Sequence, residues 1–137
     1  DVPCSLEGII NCSDAKTYAD WSTKKIRRLS DQQKWLLRSA VSATKPGGTI
    51  VYSTCTLAPE ENEEVINWIL KKEKENVDLE NIEVQNLKMS PPLNQWGLKK
   101  FDQRVALALR ILPSPNQEGF FVAKIRKLKS NVGQRLK

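Results

Sequence analysis

Three cysteines and one aspartate hold most of the chemistry open to this sequence. Cys4, Cys12 and Cys55 are its only cysteines, and it has no histidine. The paired Cys and His spacing of a zinc centre is therefore missing, and no metal is expected. An odd cysteine count also argues against a disulfide framework. What remains is the thiol as nucleophile or base. A free thiol has a pKa near ~8.5 and is only a few per cent ionised at neutral pH, yet its thiolate is intrinsically potent. Cys4 follows Pro3, which stiffens the loop that carries it, and Asp1 lies in the same loop. Cys55 stands just past a short β-branched run. A cysteine in such a place is more often packing than chemistry when judged alone. Cys12 lies in no such setting and reads as structural or incidental.

The elements around these residues can be read from the pattern. Asp1-Val2-Pro3-Cys4-Ser5 reads as a loop with no element in front of it, and there is no initiating Met, so a fragment is expected. Ser30 with Gln33 three residues later is a capping-box signature, predicting a helix with Leu36, Leu37, Ala40 and Val41 on one side and Pro46-Gly47-Gly48 as its stop. Thr49 to Ser53 reads as a buried strand that delivers Cys55 at its end. Pro59 with Glu60, Glu61, Glu63 and Glu64 predicts a helix start, with Lys71, Lys72 and Lys74 at the other end of the dipole and Val65, Ile66, Ile69 and Leu70 as the apolar stripe. Residues 77–88 allow a strand, and residues 89–103 read as a long loop. Val105 to Leu112 and Phe120 to Ile125 flank a wide turn, as a β-hairpin would. The fold class predicted is α/β: an open, mostly parallel sheet with helices on both faces and an antiparallel terminal hairpin. Ligands of such sheets lie outside the carboxyl ends of the strands, where Cys55 sits and where Asp1 to Ser5 would sit if a strand precedes them.

Composition sets the outer bounds. A chain of 137 residues, 39% hydrophobic and 28% charged, fits one globular domain. No apolar run approaches the ~18 residues that span a bilayer, and no signal peptide opens the chain, so no membrane partner and a cytoplasmic location are expected. The net charge of +6 gathers in two clusters, Lys24, Lys25, Arg27 and Arg28, and a tail from Lys124 through Arg126, Lys127, Lys129 and Arg135 to Lys137. Both suit either a polyanion or a solvated surface. Trp21, Trp35 and Trp68 are expected to pack, whereas Trp96 in the long loop could equally stack on a base.

Taken together, the motifs resemble a known family. Asp1-Val2-Pro3-Cys4-Ser5, Lys45-Pro46-Gly47-Gly48 through Tyr52-Ser53-Thr54-Cys55-Thr56, Pro59-Glu60-Glu61-Asn62-Glu63, and Glu118-Gly119-Phe120-Phe121-Val122-Ala123 resemble, in this order, the Sun family of RNA cytosine-5 methyltransferases. The resemblance implies the C-terminal part of a Rossmann-like class I methyltransferase domain over residues 1–126, followed by a basic tail, 127–137. It also implies S-adenosyl-L-methionine as methyl donor, RNA (rRNA or tRNA) as substrate, and a monomer when complete. The family's Gly-rich cofactor loop has no counterpart here, so an N-terminal half of the same domain is expected to be missing, and these residues alone should bind the cofactor poorly.

By the same resemblance Cys55 is the nucleophile, Cys4 its helper, and Asp1 and Pro3 lie beside the cofactor. The chemistry fits. Carbon 5 of cytosine becomes nucleophilic once a thiolate adds to carbon 6, an acid at nitrogen 3 could be Asp1 with a pKa raised by burial, and a base must later take the carbon 5 proton. The helix start near Pro59 could help ionise Cys55, although Glu60 and Glu61 would oppose it. Cys4 as the attacking thiol, as in enzymes that methylate DNA cytosine, is the rival assignment; Cys55 ranks ahead because the Thr-Cys segment is part of the match. A non-catalytic RNA-binding or assembly module derived from the same fold is the alternative from another class, and a DNA cytosine-5 methyltransferase using Cys4 is the third reading. Lys24, Lys25, Arg27 and Arg28 fall between the two cysteine motifs and are the residues expected to contact RNA phosphates.

Overall fold

The computed structural model describes residues 1–130. Its longest element, α1, spans Thr23–Ala43 and begins where the Ser22 side chain accepts a hydrogen bond from the Lys25 N–H, an N-cap that satisfies one orphan donor. Ser30 and Gln33, expected to open the helix as a capping box, lie inside it instead. Three residues apart on a helix they share one face, and both are buried. Ile26, Leu29, Leu37 and Val41 form the apolar stripe of α1. Leu36, expected on that stripe, is 43% exposed because it points away from it.

A turn through Gly47, whose φ of 82° lies in the left-handed region that favours glycine, leads into β1, Thr49–Thr54. Helix α2 follows at Glu63–Glu73, then β2 at Val77–Glu80, β3 at Met89–Ser90, β4 at Gln95–Trp96, β5 at Lys99–Lys100, β6 at Leu109–Ile111 and β7 at Phe120–Lys127. β7 is the centre of the main sheet. β1 pairs with it from Thr49↔Arg126 to Thr54↔Phe121. On its other side lie β2, from Val77↔Lys127 to Glu80↔Lys124, and β6, from Leu109↔Val122 to Ile111↔Phe120. β3 extends β6, and β4 and β5 form a separate small hairpin inside the expected long loop. The α/β class and the terminal hairpin are as expected. Every strand pairing among the described residues is antiparallel: β7 runs against β1, β2 and β6, β3 against β6, and β4 against β5; the parallel pairs expected of the sheet do not fall between these strands. On the outer edge of β1 the Val2 N–H donates to the Ser53 carbonyl at 3.2 Å.

The core lies between this sheet and the two helices: Leu37 and Val41 from α1, Val65, Ile66, Ile69 and Leu70 from α2, and Tyr52, Val77, Leu79, Phe121, Ala123 and Ile125 from the strands. Beside it Glu63 is fully buried and held by Arg110 through Nε at 2.9 Å and Nη2 at 2.7 Å. Much of the second basic cluster is also structural. Lys127 is buried and donates to the Val41 carbonyl at 2.6 Å, beside the longer bond that carbonyl takes from the Thr44 N–H at the end of α1, where a cation is favoured. Lys124 and Arg126 pair with Glu80, and Lys129 with Glu75. Arg135 and Lys137 lie outside the described residues. The tryptophans depart from expectation. Trp68 packs against the core, but Trp35 is 59% and Trp21 45% exposed. The Trp21 indole donates to Glu7, and Trp35 lies edge-on to Trp68 with the Arg38 guanidinium over its ring. No helix among the described residues is long and apolar enough to cross a membrane.

Candidate active site

Two segments far apart in sequence meet at the carboxyl end of β1. The Pro-Cys loop brings Cys4, which is buried, and the turn after β1 brings Cys55, which is partly exposed. Their sulfurs lie 3.2 Å apart. Such a contact lets either thiol donate to the other and share its proton. The sequence places both residues in loops, and the fold turns them into a pair.

The neighbourhood favours the protonated form of Cys55. Burial, the hydrogen bond with Cys4 and the negative charge of Glu118 together push its thiol up from 9.0 to about 12. The helix dipole expected near Pro59 does not offset this. α2 begins only at Glu63, because the Glu60 and Glu61 carbonyls are taken by Ser30 Oγ at 2.6 Å and by the Tyr52 hydroxyl at 2.6 Å. Side-chain bonds of this kind compete with the helical ladder.

The turns that carry the sulfurs are fastened by backbone. The Gly8 N–H donates to the Cys55 carbonyl, and the Gly119 N–H donates to the Gly8 carbonyl, each at 2.9 Å. A Cβ at Gly8 would lie 2.1 Å from the Gly119 oxygen and 2.7 Å from the Cys55 oxygen, so no other residue fits without moving the chain. Polar side chains fasten the rest. Thr54 Oγ1 donates to Asn62 Oδ1 at 2.6 Å, and Asn62 Nδ2 donates to the Thr56 carbonyl at 2.9 Å. Ser5 Oγ lies 2.8 Å from Thr56 Oγ1, and the buried carboxyl of Glu61 accepts from both Ser5 groups, N–H and Oγ. Glu61 was expected as a helix-start acid and Ser30 and Gln33 as a cap; their place here comes from contacts between elements distant in sequence, which no local signal announces.

The other expected residues divide. Asp1 and Pro3 are exposed in the loop that carries Cys4. The Asp1 carboxyl is open to solvent on this loop. Lys24, Lys25, Arg27 and Arg28 occupy the first turns of α1, whose next turns carry Ser30 and Gln33 to the site. Lys24, Arg27 and Arg28 are exposed, while Lys25 is tied to Asp20 at 2.5 Å. Arg27 lines a cleft of about 650 Å³ with Lys34, Trp96 and Lys99 among its walls. A second cleft of about 680 Å³ opens between residues 8–12 and 113–118, sharing Gly8 and Glu118 with the surroundings of Cys55.

A nucleoside cofactor would need a cradle. Asp1 and Pro3 present exposed groups beside the outer edge of β1, but no glycine-rich strand-to-helix turn occurs among the described residues. Gly47 and Gly48 precede a strand instead. The residues present do not fit the whole group.

Comparison with known proteins gives a consistent answer. The family model described as 16S rRNA methyltransferase RsmB/F matches residues 1–126. The tRNA (cytosine(49)-C(5))-methyltransferase of Pyrococcus abyssi is 41% identical over 128 residues, which are 93% of this chain and 40% of that protein. Ribosomal RNA small subunit methyltransferase F of Vibrio cholerae is 42% identical over 132 residues, 95% of this chain and 25% of that one. Among solved structures, a methyltransferase homologue from Pyrococcus horikoshii aligns with a TM-score of 0.69 at 33% identity, covering 92% of this chain and 37% of its own. NSun6 from Pyrococcus horikoshii, solved with SFG, aligns with a TM-score of 0.69 at 29% identity, covering 95% and 29%. The chain thus spans 40% or less of the relatives it matches.

Proposed function

The chain belongs to the 16S rRNA methyltransferase RsmB/F family, and from that premise we propose that it carries the two-thiol site of an enzyme that methylates carbon 5 of cytosine in RNA. The observation that carries this reading is the 3.2 Å approach of Cys4 to Cys55. Two sulfurs within a proton's reach of each other suit a reaction in which one must bond to carbon and the other must take a proton nearby.

Cys55 is the nucleophile. Its sulfur bonds to carbon 6, the carbon 5–carbon 6 double bond opens, and the electron pair moves toward carbon 5 with charge spreading to nitrogen 3 and oxygen 2. The proton that Cys55 sheds balances the one taken up at nitrogen 3, with the Asp1 carboxyl held there by the bound base. Burial and the contact with Cys4 push the thiol up, so the free site favours its protonated form. S-adenosyl-L-methionine would supply the methyl group, and Asp1 and Pro3 are the residues here that would help to hold it. Cys4, as the thiolate left once its own proton has passed to solvent, then takes the proton from carbon 5; the double bond reforms, the Cys55 sulfur leaves carbon 6 as thiolate, and the nitrogen 3 proton is released. Lys24, Arg27 and Arg28 offer unpaired charge for the RNA backbone.

The test uses the enzyme with its whole catalytic domain, RNA and S-adenosyl-L-methionine. Cys55→Ala should abolish methylation without trapping RNA. Cys4→Ala should transfer methyl groups yet accumulate protein–RNA adducts, because the carbon 5 proton then has no base. Adducts in the Cys55 variant and none in the Cys4 variant would reverse the two roles.

A further inference from the structure

Two buried glutamates flank the start of α2, and their surroundings differ in kind. Glu63 is neutralised by the Arg110 guanidinium. Glu61 is equally buried and has no cation against it among the described residues. Its carboxyl is held by neutral donors alone: the Ser5 N–H at 3.0 Å, the Ser5 hydroxyl, and Gln33 Nε2 at 2.8 Å. The same Gln33 nitrogen also donates to the Pro3 carbonyl at 2.8 Å. Every partner of this carboxyl therefore belongs to the loop that carries Cys4, or grips that loop as well.

The other end of Glu61 faces the second cysteine. Its backbone carbonyl accepts from the Tyr52 hydroxyl on β1, the strand that ends beside Cys55, and its partner Ser5 reaches Thr56, the residue after Cys55. The loop it grips is under tension. Leu6, directly after Ser5, has a φ of 62°, a left-handed conformation that a leucine adopts only when its surroundings impose it. Gln33 shows the same imposition, since its Oε1 is buried with no partner among the described residues, an arrangement that costs stability unless its surroundings hold it.

We propose that Glu61 is a positioning residue that clamps the Pro3–Ser5 loop against the end of β1 and so sets the distance between the Cys4 and Cys55 sulfurs. The inference rests on the reading of those sulfurs as a working pair. Burial pushes the Glu61 carboxyl up, while the bonds from Ser5 and Gln33 pull it down. What the clamp needs is the set of hydrogen bonds, not the charge. A glutamine at position 61 could still accept from the Ser5 N–H and from Gln33 through its oxygen, and could donate to the Ser5 hydroxyl.

The experiment reads sulfur proximity first, without reference to catalysis. In a Cys12→Ser background the azo oxidant diamide takes two electrons and two protons from the thiols as the Cys4–Cys55 bond forms, and mass spectrometry follows its rate. Glu61→Ala should slow that rate at least about tenfold, and Glu61→Gln should stay within about threefold of the parent, since ångström-scale misplacement of reacting groups costs on the order of 10²-fold. Cys55 owes its raised pKa to burial, Cys4 and Glu118 rather than to Glu61, so a change in rate reports distance. A folded Glu61→Ala that pairs at the parent rate, or a glutamine variant as slow as the alanine one, would overturn the clamp. If Glu61→Ala does not fold, Ser5→Ala takes its place: a slowed rate is expected, and the parent rate would overturn the proposal. The second arm measures methylation by the enzyme with its whole domain, where kcat should fall in Glu61→Ala with KM for RNA unchanged and return in Glu61→Gln. Normal thiol pairing alongside cysteine variants that methylate fully would instead remove the proposed reaction and leave the clamp standing.

Discussion

Cys55 gains a partner in Cys4 and loses acidity to it. The second-largest reason for its raised pKa, after burial, is the hydrogen bond with Cys4, so the pair stores a proton that a substrate must displace. This has a measurable consequence. A thiol reacts with iodoacetamide as its thiolate, which forms only as pH rises through the pKa. With that pKa moved from 9.0 to about 12, the alkylation rate of Cys55 should keep climbing about tenfold per pH unit above 9, where a free thiol levels off. Removing Cys4 should shift the profile to lower pH. A Cys55 profile that levels off near 9 in the parent would contradict the coupling. Asp1 was legible only through the motif it shares with Cys4. Nothing in its immediate sequence signals a perturbed acid, and the fold leaves it exposed.

Between residue and molecule, the elements matter through how they touch. Gly8 passes between the Cys55 turn and Gly119, bonded to both, and a methyl group there would overlap a backbone oxygen at 2.1 Å. Gly8→Ala should therefore destabilise the protein by roughly 1–3 kcal/mol, the range for overpacking, and slow Cys4–Cys55 pairing as well. Thermal unfolding together with the diamide rate checks both, and an unchanged melting temperature would refute the fit. Much of the element pattern was readable: the strand that ends at Cys55, the stripe of α2 and the terminal hairpin all follow from periodicity and turn residues. The start of α1 was misplaced because Ser30 and Gln33 have the spacing of a capping box. That same spacing sets two side chains on one helical face, and only the packing of α1 against Glu60 and Glu61 decides which meaning holds. The start of α2 was misplaced for a related reason, since side chains distant in sequence take the carbonyls that a helix from Pro59 would need. Gly8 carried no local signal at all; its necessity comes from two strand-end turns that the sequence does not bring together.

At the scale of the molecule, one central strand organises the sheet and consumes charge. The basic residues of β7 and its exit are spent on Glu80, Glu75 and the end of α1, whereas Lys24, Arg27 and Arg28 keep their charge free at the start of α1. Composition could not separate the two clusters, because ion pairs form between elements. If the first cluster binds RNA phosphates, Lys24→Ala, Arg27→Ala and Arg28→Ala combined should lower the slope of log K against log salt by about 2, at roughly 0.7 per phosphate on a single strand. An unchanged slope would place the RNA elsewhere. The same substitutions on the β7 side should affect stability more than binding.

The most direct test of the central claim uses RNA in which the target cytosine carries fluorine at carbon 5. With no proton there to remove, the reaction stops after methyl transfer, and the attacking sulfur stays on carbon 6. Digestion of that complex and mass spectrometry of the nucleotide-bearing peptide identify the nucleophile. The nucleotide is expected on Cys55; finding it on Cys4 would contradict the account.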